Sequence, residues 1–250
     1  MTRRTVQAAS ARLDGVGEES SRMLSERVYR SIMQSVSRGQ LARGAPLRIE
    51  ELARRLNVSP TPVREGLTRL EGTGLVVHER RKGFRVAPPL TAEQFEKLMD
   101  AREVLEVGAA GLAIASGDPA FASTLRGALA AQQAAVEAFD AMSPHGDAVD
   151  DLAWAVIDAD VAFHHVIFSR THNPFVGLMA EALNGQTHRV RQSAEHGVSD
   201  SNEALSEHAA IVRAADSGDR QAVESAMRMH LRLVRARARR DLDGDREDGQ

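Results

Sequence analysis

Four side chains in the second half of the chain have the types and spacing of a metal site. Asp160 and His164 form a D-x3-H pair, so in a helix they lie one turn apart on the same face and could bind one ion together. His208 and His230 lie on two later helical segments, about equally far from a predicted break between them. In an antiparallel hairpin this spacing brings the two imidazoles level with each other. The pattern therefore predicts a divalent-metal site inside a helical bundle.

The ligand types restrict the ion. The chain has no cysteine, which excludes disulfides, cysteine-based zinc sites and a thiol nucleophile. Three imidazoles and one carboxylate suit zinc, which we take as the leading candidate, and also nickel, manganese or iron. An octahedral ion with four protein ligands would keep two open positions, and a small carboxylate could occupy them.

Charge is distributed unevenly along the chain. Residues 21–87 carry a net charge of +8 and residues 88–250 a net charge of −11, whereas the whole chain carries −3. This asymmetry predicts that only the first part meets a polyanion such as DNA. We find no apolar run near the roughly 20 residues of a membrane span and no secretory signal at the start, so we expect a cytoplasmic protein with no membrane partner.

The basic segment has the pattern of a winged helix-turn-helix. Three helical stretches and then two β-prone runs are predicted, at about 23–38, 50–56, 60–71, 75–78 and 84–87. Ser59 is the predicted N-cap of the third helix, and Gly83 closes the basic turn between the two strands. Pro88-Pro89 then breaks the chain, and we place a domain boundary there.

From Thr91 onward the sequence is helical almost throughout. Six helices are predicted, at about 91–116, 118–139, 148–171, 174–195, 202–217 and 219–240. Thr91 with Gln94 resembles a capping box. The predicted fold is mostly α: an N-terminal winged helix-turn-helix with a small β-wing, and a C-terminal antiparallel bundle that is entirely helical. The predicted domains are a disordered arm (1–21), a DNA-binding domain (22–88), a helical metal- and effector-binding domain (89–240) and a disordered tail (241–250).

The basic segment resembles the DNA-binding domain of GntR-family regulators. The resemblance is carried by L-N-V-S-P-T-P-V-R-E-G-L-T-R-L (56–70), G-L-V (74–76) and K-G-F-R-V (82–86). Many members carry Arg where this chain has Pro60, so base preferences are not carried over at that position. The residues predicted to contact DNA are Ser59, Thr61, Arg64 and Arg69 on the third helix, and Arg80, Arg81, Lys82 and Gly83 in the wing.

The acidic half resembles the FCD domain, the effector domain of the FadR-type branch of that family. The motifs are D-A-R-E-V-L-E (100–106), D-V-A-F-H-H-V-I (160–167), N-P-F (173–175) and the long run 207–231. Six helices suggest the VanR-like subgroup. The resemblance implies that Arg102 holds an effector carboxylate; the alternative is an i,i+4 pair with Glu106 on a wet face. Arg189 or Arg191 could also reach the pocket.

These features favour one function over two others. The leading hypothesis is a homodimeric transcriptional regulator, more a repressor than an activator. It would bind a palindromic operator with an affinity set by a small organic acid at the metal. The second is a constitutive DNA-binding protein with a structural metal. The third, a metal-dependent hydrolase, lacks an H-E-x-x-H motif or a nucleophile elbow, so we expect no enzyme.

Overall fold

The computed structural model describes residues 23–36, 39–141, 147–191 and 200–247, without the side chains of 147–150, 188–191 and 241–247. The chain divides into two compact units, and the boundary in the sequence lies between Pro88 and Pro89. The predicted arm, 1–21, lies outside the described residues. The two units are taken in turn.

The N-terminal unit is a winged helix-turn-helix. Its elements are α1 (23–36), β1 (Pro46–Leu47), α2 (Ile49–Leu56), α3 (Pro60–Gly72), β2 (Val76–Glu79) and β3 (Gly83–Val86). The strands form one antiparallel sheet in the order β1-β3-β2. The short β1 was not predicted, because two residues that include a proline give no periodic signal; proline is tolerated there since β1 is an edge strand.

The core of this unit lies between α1 and α3. The predicted apolar stripes are buried, with Val63, Leu67 and Leu70 of α3 all fully covered. Gly66 allows the close approach, because a Cβ at that position would lie 3.1 Å from Cγ1 of Val28 and 3.2 Å from the backbone nitrogen of Tyr29 on α1. The helix α3 therefore packs closely against α1.

The C-terminal unit is a bundle of long helices, as predicted. They are α4 (Ala92–Ala115), α5 (Phe121–Asp140), α6 (Asp147–Ser169), α7 (Pro174–Arg191), α8 (Ser201–Ser217) and α9 (Arg220–Glu247). The helix α9 continues past the predicted end at 240, so the expected disordered tail is helical to Glu247. The tail is rich in charged residues, but Arg, Leu and Glu are good helix formers, so charge alone does not end the helix.

The helix α6 is unusually apolar. Its stretch Asp151–Ser169 has 19 residues and a mean hydropathy of 1.3, which suffices for a membrane span by length and composition alone, contrary to our sequence analysis. In the bundle, however, α6 packs against α4 and α5 and buries Asp160, Phe163 and His164 on its inner face. A helix that buries two ionisable groups among protein neighbours is typical of a bundle core.

The start of α4 carries the predicted capping box. Thr91 accepts a hydrogen bond from the backbone of Gln94 at 3.2 Å, and the Gln94 side chain accepts one from the backbone of Thr91 at 3.0 Å. Two of the four unsatisfied amide groups at this helix end are thus paired.

We expect Thr91→Ala to lower the free energy of unfolding by about 1 kcal/mol, because the cap and its reciprocal bond are lost. The measurement is the midpoint of chemical unfolding of the full chain. Thr91→Ser keeps the hydroxyl and serves as the control; equal stability of the Ala and Ser variants would show that the capping box contributes nothing.

Candidate metal and DNA-binding sites

Three imidazoles converge inside the C-terminal bundle. His164 on α6, His208 on α8 and His230 on α9 each offer one ring nitrogen, and these atoms lie within 4.8 Å of one another. All three residues are buried, and the ring centroids are 4.6 to 5.2 Å apart. Three predicted ligands therefore meet at one point of the core.

The turn between α8 and α9 brings two of these rings together. Gly218 ends α8 in the left-handed conformation at φ +69°, which glycine adopts without strain. The Asp219 side chain then accepts hydrogen bonds from the backbone of Gln221 and Ala222 at the start of α9. The helices form the predicted hairpin, and His208 and His230 lie level with each other.

Two of the imidazoles have their Nδ1 atoms committed to neighbouring side chains. Nδ1 of His208 lies 2.7 Å from Oε1 of Gln132 on α5, and Nδ1 of His230 lies 2.8 Å from Oε2 of Glu207 on α8. An amide oxygen and a carboxylate can only accept, so both histidines donate from Nδ1. Their Nε2 atoms are consequently unprotonated when the rings are neutral.

Glu207 is itself held by an arginine. Arg237 donates to both Glu207 oxygens, at 2.5 and 3.1 Å, and from Nε to Asp200 at 2.7 Å. Burial raises the pKa of Glu207, but hydrogen bonds to His230 and Arg237 lower it more, so the pKa stays below its ordinary value. The ionised carboxylate therefore fixes the orientation of His230.

The third imidazole lies against a carboxylate that we did not expect to be buried. Nδ1 of His164 is 2.7 Å from Oε2 of Glu106 on α4, although the angle lies outside the range of a hydrogen bond. Oε1 of Glu106 accepts a hydrogen bond from Nε of Arg102 at 2.6 Å. Both side chains of this pair are less than a tenth exposed. The i,i+4 pair of Arg102 with Glu106 is therefore present, but it is buried and does not lie on a wet face.

Asp160 lies beside the three rings. Its Oδ1 is 3.8 Å from Nε2 of His208, and Nε2 of Gln132 donates to it at 3.4 Å. A single amide thus contacts both Asp160 and His208. The i,i+4 spacing with His164 places the two predicted ligands of α6 on the same buried face, whereas His165 is exposed.

The electrostatics favour a neutral imidazole at His230. Burial lowers the pKa of His230 below its ordinary value, although the hydrogen bond to Glu207 opposes the shift. Burial raises the pKa of Glu106, but Arg102 and His164 more than offset it and hold that pKa well below its ordinary range. A neutral imidazole at His230 and ionised carboxylates at Glu106 and Glu207 suit a site for a divalent cation.

The residues present fit such an ion. Nε2 of His164 and Nε2 of His230 are buried and have no hydrogen-bond partner among the described residues, which is costly for polar atoms in a core. A cation at the centre of the three rings would satisfy them. Arg189 and Arg191, predicted near the pocket, belong to the end of α7 whose side chains lie outside the described part of the chain.

The sequence analysis did not predict the three side chains that contact Nδ1 of the histidines, which are Gln132, Glu207 and Glu106. Gln132 lies in the run A-A-Q-Q-A-A, where periodicity alone does not say which glutamine faces inward. Glu207 directly precedes a predicted ligand, and Glu106 was noticed only as a partner of Arg102. A polar residue in an otherwise apolar helical stretch was the signal that could have indicated a buried partner of a histidine.

The predicted DNA-contacting residues lie mostly on one exposed surface of the N-terminal unit. Ser59, Thr61 and Arg64 are exposed at the start of α3. Ser59 occupies the predicted N-cap position, but its side chain makes no capping hydrogen bond. Arg64 lines a groove of about 640 Å³ between α3 and the wing, together with Lys82.

The wing tip is a three-residue turn between β2 and β3. Because Glu79 pairs with Gly83, the turn consists of Arg80, Arg81 and Lys82, all exposed. Arg81 and Gly83 have positive φ angles of 73° and 79°, so the tight turn does depend on Gly83. The turn presents three basic side chains in a row.

Arg69, which is predicted to contact DNA, makes contacts within the N-terminal unit. Its guanidinium contacts Glu26 and stacks over the Tyr29 ring at 4.2 Å from the centroid. Both partners are on α1, so Arg69 joins α3 to α1, and its contact with DNA stays a prediction. Arginines on one helix lie on different faces, which the sequence pattern did not resolve.

Two family profiles match the chain. Residues 24–86 match the profile described as bacterial regulatory proteins, gntR family, and residues 97–233 match the FCD domain. An HTH-type transcriptional regulator in an unstable DNA locus of Streptomyces ambofaciens is 32% identical over 83% of this chain and 81% of its own length. A probable D-xylose utilization operon transcriptional repressor from Paenarthrobacter nicotinovorans is 28% identical over 80% and 82%.

Solved structures share the fold. McbR/YncC of E. coli superimposes with a TM-score of 0.69 at 22% identity, covering 87% of this chain and 97% of that one. A putative GntR transcriptional regulator from Rhodococcus sp. RHA1 gives a TM-score of 0.68 at 24% identity, covering 86% and 96%. The arrangement of a winged helix-turn-helix before a helical bundle is thus common to these chains.

We expect Glu207→Gln to weaken divalent-metal binding by about 10- to 100-fold, because the residue that orients His230 loses its charge. The measurement is competition for Zn²⁺ with a chromophoric chelator. Glu203→Gln removes the same charge from an exposed position of α8 and should bind metal as the unaltered chain does. Equal affinities of the two variants would contradict a role for Glu207 in holding the ligand.

Proposed function

This chain belongs to the GntR family of bacterial transcriptional regulators, with a C-terminal FCD domain, and we propose that it is a repressor controlled by a small carboxylate effector bound at a divalent metal. As a member of that family it is a DNA-binding regulator. The family and the relatives matched are regulators of transcription, not enzymes. The observation that carries the proposal is the buried convergence of three histidines next to an arginine.

DNA binding is the task of the N-terminal unit. The exposed N-terminal end of α3 presents Thr61 and Arg64, and the wing adds three basic residues, within a segment of net charge +8. In this fold the recognition helix enters the major groove, where an arginine can bond bidentately to guanine. The wing residues would contact the minor groove or its phosphates.

Repression and dimerisation are inferred by analogy and symmetry. Relatives from Paenarthrobacter nicotinovorans and E. coli K12 are described as repressors. A two-fold homodimer would present two such units to a palindromic operator. Since the partner is chromosomal DNA, we place the protein in the cytoplasm.

The metal would be held by His164, His208 and His230, with Asp160 as the fourth ligand. Three imidazoles and one carboxylate favour Zn²⁺, and Ni²⁺, Mn²⁺ or Fe²⁺ also suit this set. A bound ion supplies positive charge and open coordination positions that attract carboxylate oxygens. The ring orientations are set by Gln132 and Glu207 before any ion arrives.

Arg102 supplies the second half of the effector site. The hydrogen bond from Nε to Glu106 is its only one among the described residues, so its two terminal amino groups remain for another acceptor. Burial lowers the pKa of Arg102, but Glu106 and Asp160 raise it more, so the pKa lies above its ordinary value and the group stays charged. A planar guanidinium next to a cation suits a small carboxylate.

Control of DNA binding requires that the effector prefer one of two states of the protein. An effector with equal affinity for both would shift nothing, however tightly it bound. Because the proposed ligands come from α4, α6, α8 and α9, an effector at this point contacts most of the bundle and can favour one helix arrangement over another.

A second candidate is a constitutive DNA-binding protein with a structural ion. The observation in its favour is the depth of the cluster, since His208 and His230 are 0% and 2% exposed. Closed sites are typical of structural metals. The two candidates are separated by measuring affinity for an operator selected in vitro, across a panel of small carboxylates, with and without chelator. If no carboxylate changes DNA affinity, the effector-controlled function is wrong.

Arg64→Ala should lower specific operator affinity by about 1–3 kcal/mol, because a major-groove contact is lost. The measurement is a gel shift or fluorescence titration at fixed salt. Arg213→Ala removes one exposed positive charge from α8 and serves as the control. Unchanged affinity of the Arg64 variant would remove α3 from base recognition.

Arg102→Lys should weaken the response to carboxylates while metal content is retained. Lysine keeps the charge that Glu106 requires but lacks the planar pair of donors. The measurements are the effector concentration that half-releases DNA and the metal content by mass spectrometry. An intact response would place the effector elsewhere.

A further inference from the structure

One buried carboxylate touches both halves of the proposed site. Resting on the function proposed above, we infer that Glu106 is a positioning residue that couples the cation site to the anion site. It contacts Arg102 through one oxygen and His164 through the other. Cation binding and carboxylate binding are therefore linked through this residue, beyond any direct contact between the two ligands.

The first contact is an ion pair that fixes the position of Arg102, the residue proposed to bind the anion. Arg102 and Glu106 are one turn apart on α4, and the Nε–Oε1 distance is 2.6 Å. Both are buried, so neither charge can turn towards water. Breaking such a pair by removing one partner leaves an uncompensated charge in the core. The position of Arg102 therefore depends on the position of the Glu106 carboxylate.

The second contact sets the state of a metal ligand. Oε2 of Glu106 and Nδ1 of His164 are 2.7 Å apart. Two lone pairs at that distance repel, whereas an N–H between them attracts, so the contact favours a proton on Nδ1. That tautomer leaves Nε2 of His164 unprotonated, and Nε2 is buried without a hydrogen-bond partner among the described residues.

The geometry makes Glu106 an outer partner and not a ligand itself. Oε1 is occupied by Arg102, and Oε2 lies at the nitrogen of His164 on the side opposite Nε2. Each of the three histidines has a side-chain oxygen within 2.8 Å of Nδ1: Gln132 and Glu207 are hydrogen-bonded to His208 and His230, and Glu106 lies 2.7 Å from His164. Among these acceptors, only Glu106 also contacts the arginine proposed to bind the effector.

The linkage has a defined direction. A cation at Nε2 of His164 makes its Nδ1–H a stronger donor and draws negative charge of Glu106 towards the ring. Arg102 is then less fully compensated and attracts an external carboxylate more strongly. Reciprocity requires that a carboxylate at Arg102 raise metal affinity by the same factor.

The test compares Glu106→Gln with Glu103→Gln. Glu103 lies on the same helix, half-buried next to Arg228 and Arg232, so the control removes the same charge from another face. Zn²⁺ affinity is measured by chelator competition with and without excess acetate or benzoate as anion probes. In metal-free protein, imidazole nitrogen NMR reports the tautomer of His164, whose signal is identified by its loss in His164→Asn.

We expect Glu106→Gln to lower Zn²⁺ affinity by about 10- to 100-fold, to abolish the enhancement by the anion probe, and to shift His164 away from the Nδ1–H form. Glu103→Gln should leave all three unchanged. If Glu106→Gln fails to fold, Glu106→Asp, which keeps the charge but shortens the reach, should show the same losses in part.

Three results would overturn the inference: an unchanged His164 tautomer in the Glu106 variant, an anion enhancement that survives the substitution, or no anion enhancement in the unaltered chain. These results are distinct from failure of the proposed function. That fails if the unaltered chain binds no metal or if no carboxylate changes operator affinity, whereas the tautomer measurement needs neither metal nor DNA.

Discussion

A bundle that encloses three imidazoles, three carboxylates and two guanidinium groups must pair them with one another, because little water reaches its centre. Pairing at Nδ1 is the constraint from which the rest of the C-terminal unit follows. Gln132, Glu207 and Glu106 are drawn from three different helices, and each faces one histidine. Buried polar networks are stable only when their members are paired. One ring nitrogen of each histidine then lies within 4.8 Å of the others.

The N-terminal unit has a simpler arrangement, in which the start of α3 is exposed to solvent. Its core is apolar, with Val63, Leu67 and Leu70 of α3 seated on α1. At the exposed edge of that interface, Arg69 of α3 contacts Glu26 and Tyr29 of α1. Among the described residues, those that we propose to contact DNA lie on the first turns of α3 and in the wing.

Much of this arrangement could be predicted from the sequence, because its signals are local. The spacing of Asp160 and His164, the break at Gly218 and the capping box at Thr91 each depend on residues within one or two turns. The bundle places the histidines as their spacing indicates. Helix phase within short motifs is a property that periodicity records well.

What could not be predicted depends on contacts distant in sequence. Glu106 is buried next to His164 of α6, which lies more than fifty residues further along the chain. The choice between Gln132 and Gln133 is decided by α8, and the role of Arg69 by α1. The metal, the effector and the dimer remain proposals, since the pattern of ligands restricts their chemistry without naming them.

Gly111 marks a close contact between α4 and α9. A Cβ at this position of α4 would lie 2.1 Å from Oε1 of Glu224 and 3.0 Å from Nε of Arg220, an ion pair on the first turns of α9. The ends of these two side chains therefore occupy the space that a larger residue would fill. Because both side chains are long and flexible, a larger residue at position 111 would displace this ion pair before it moved either helix.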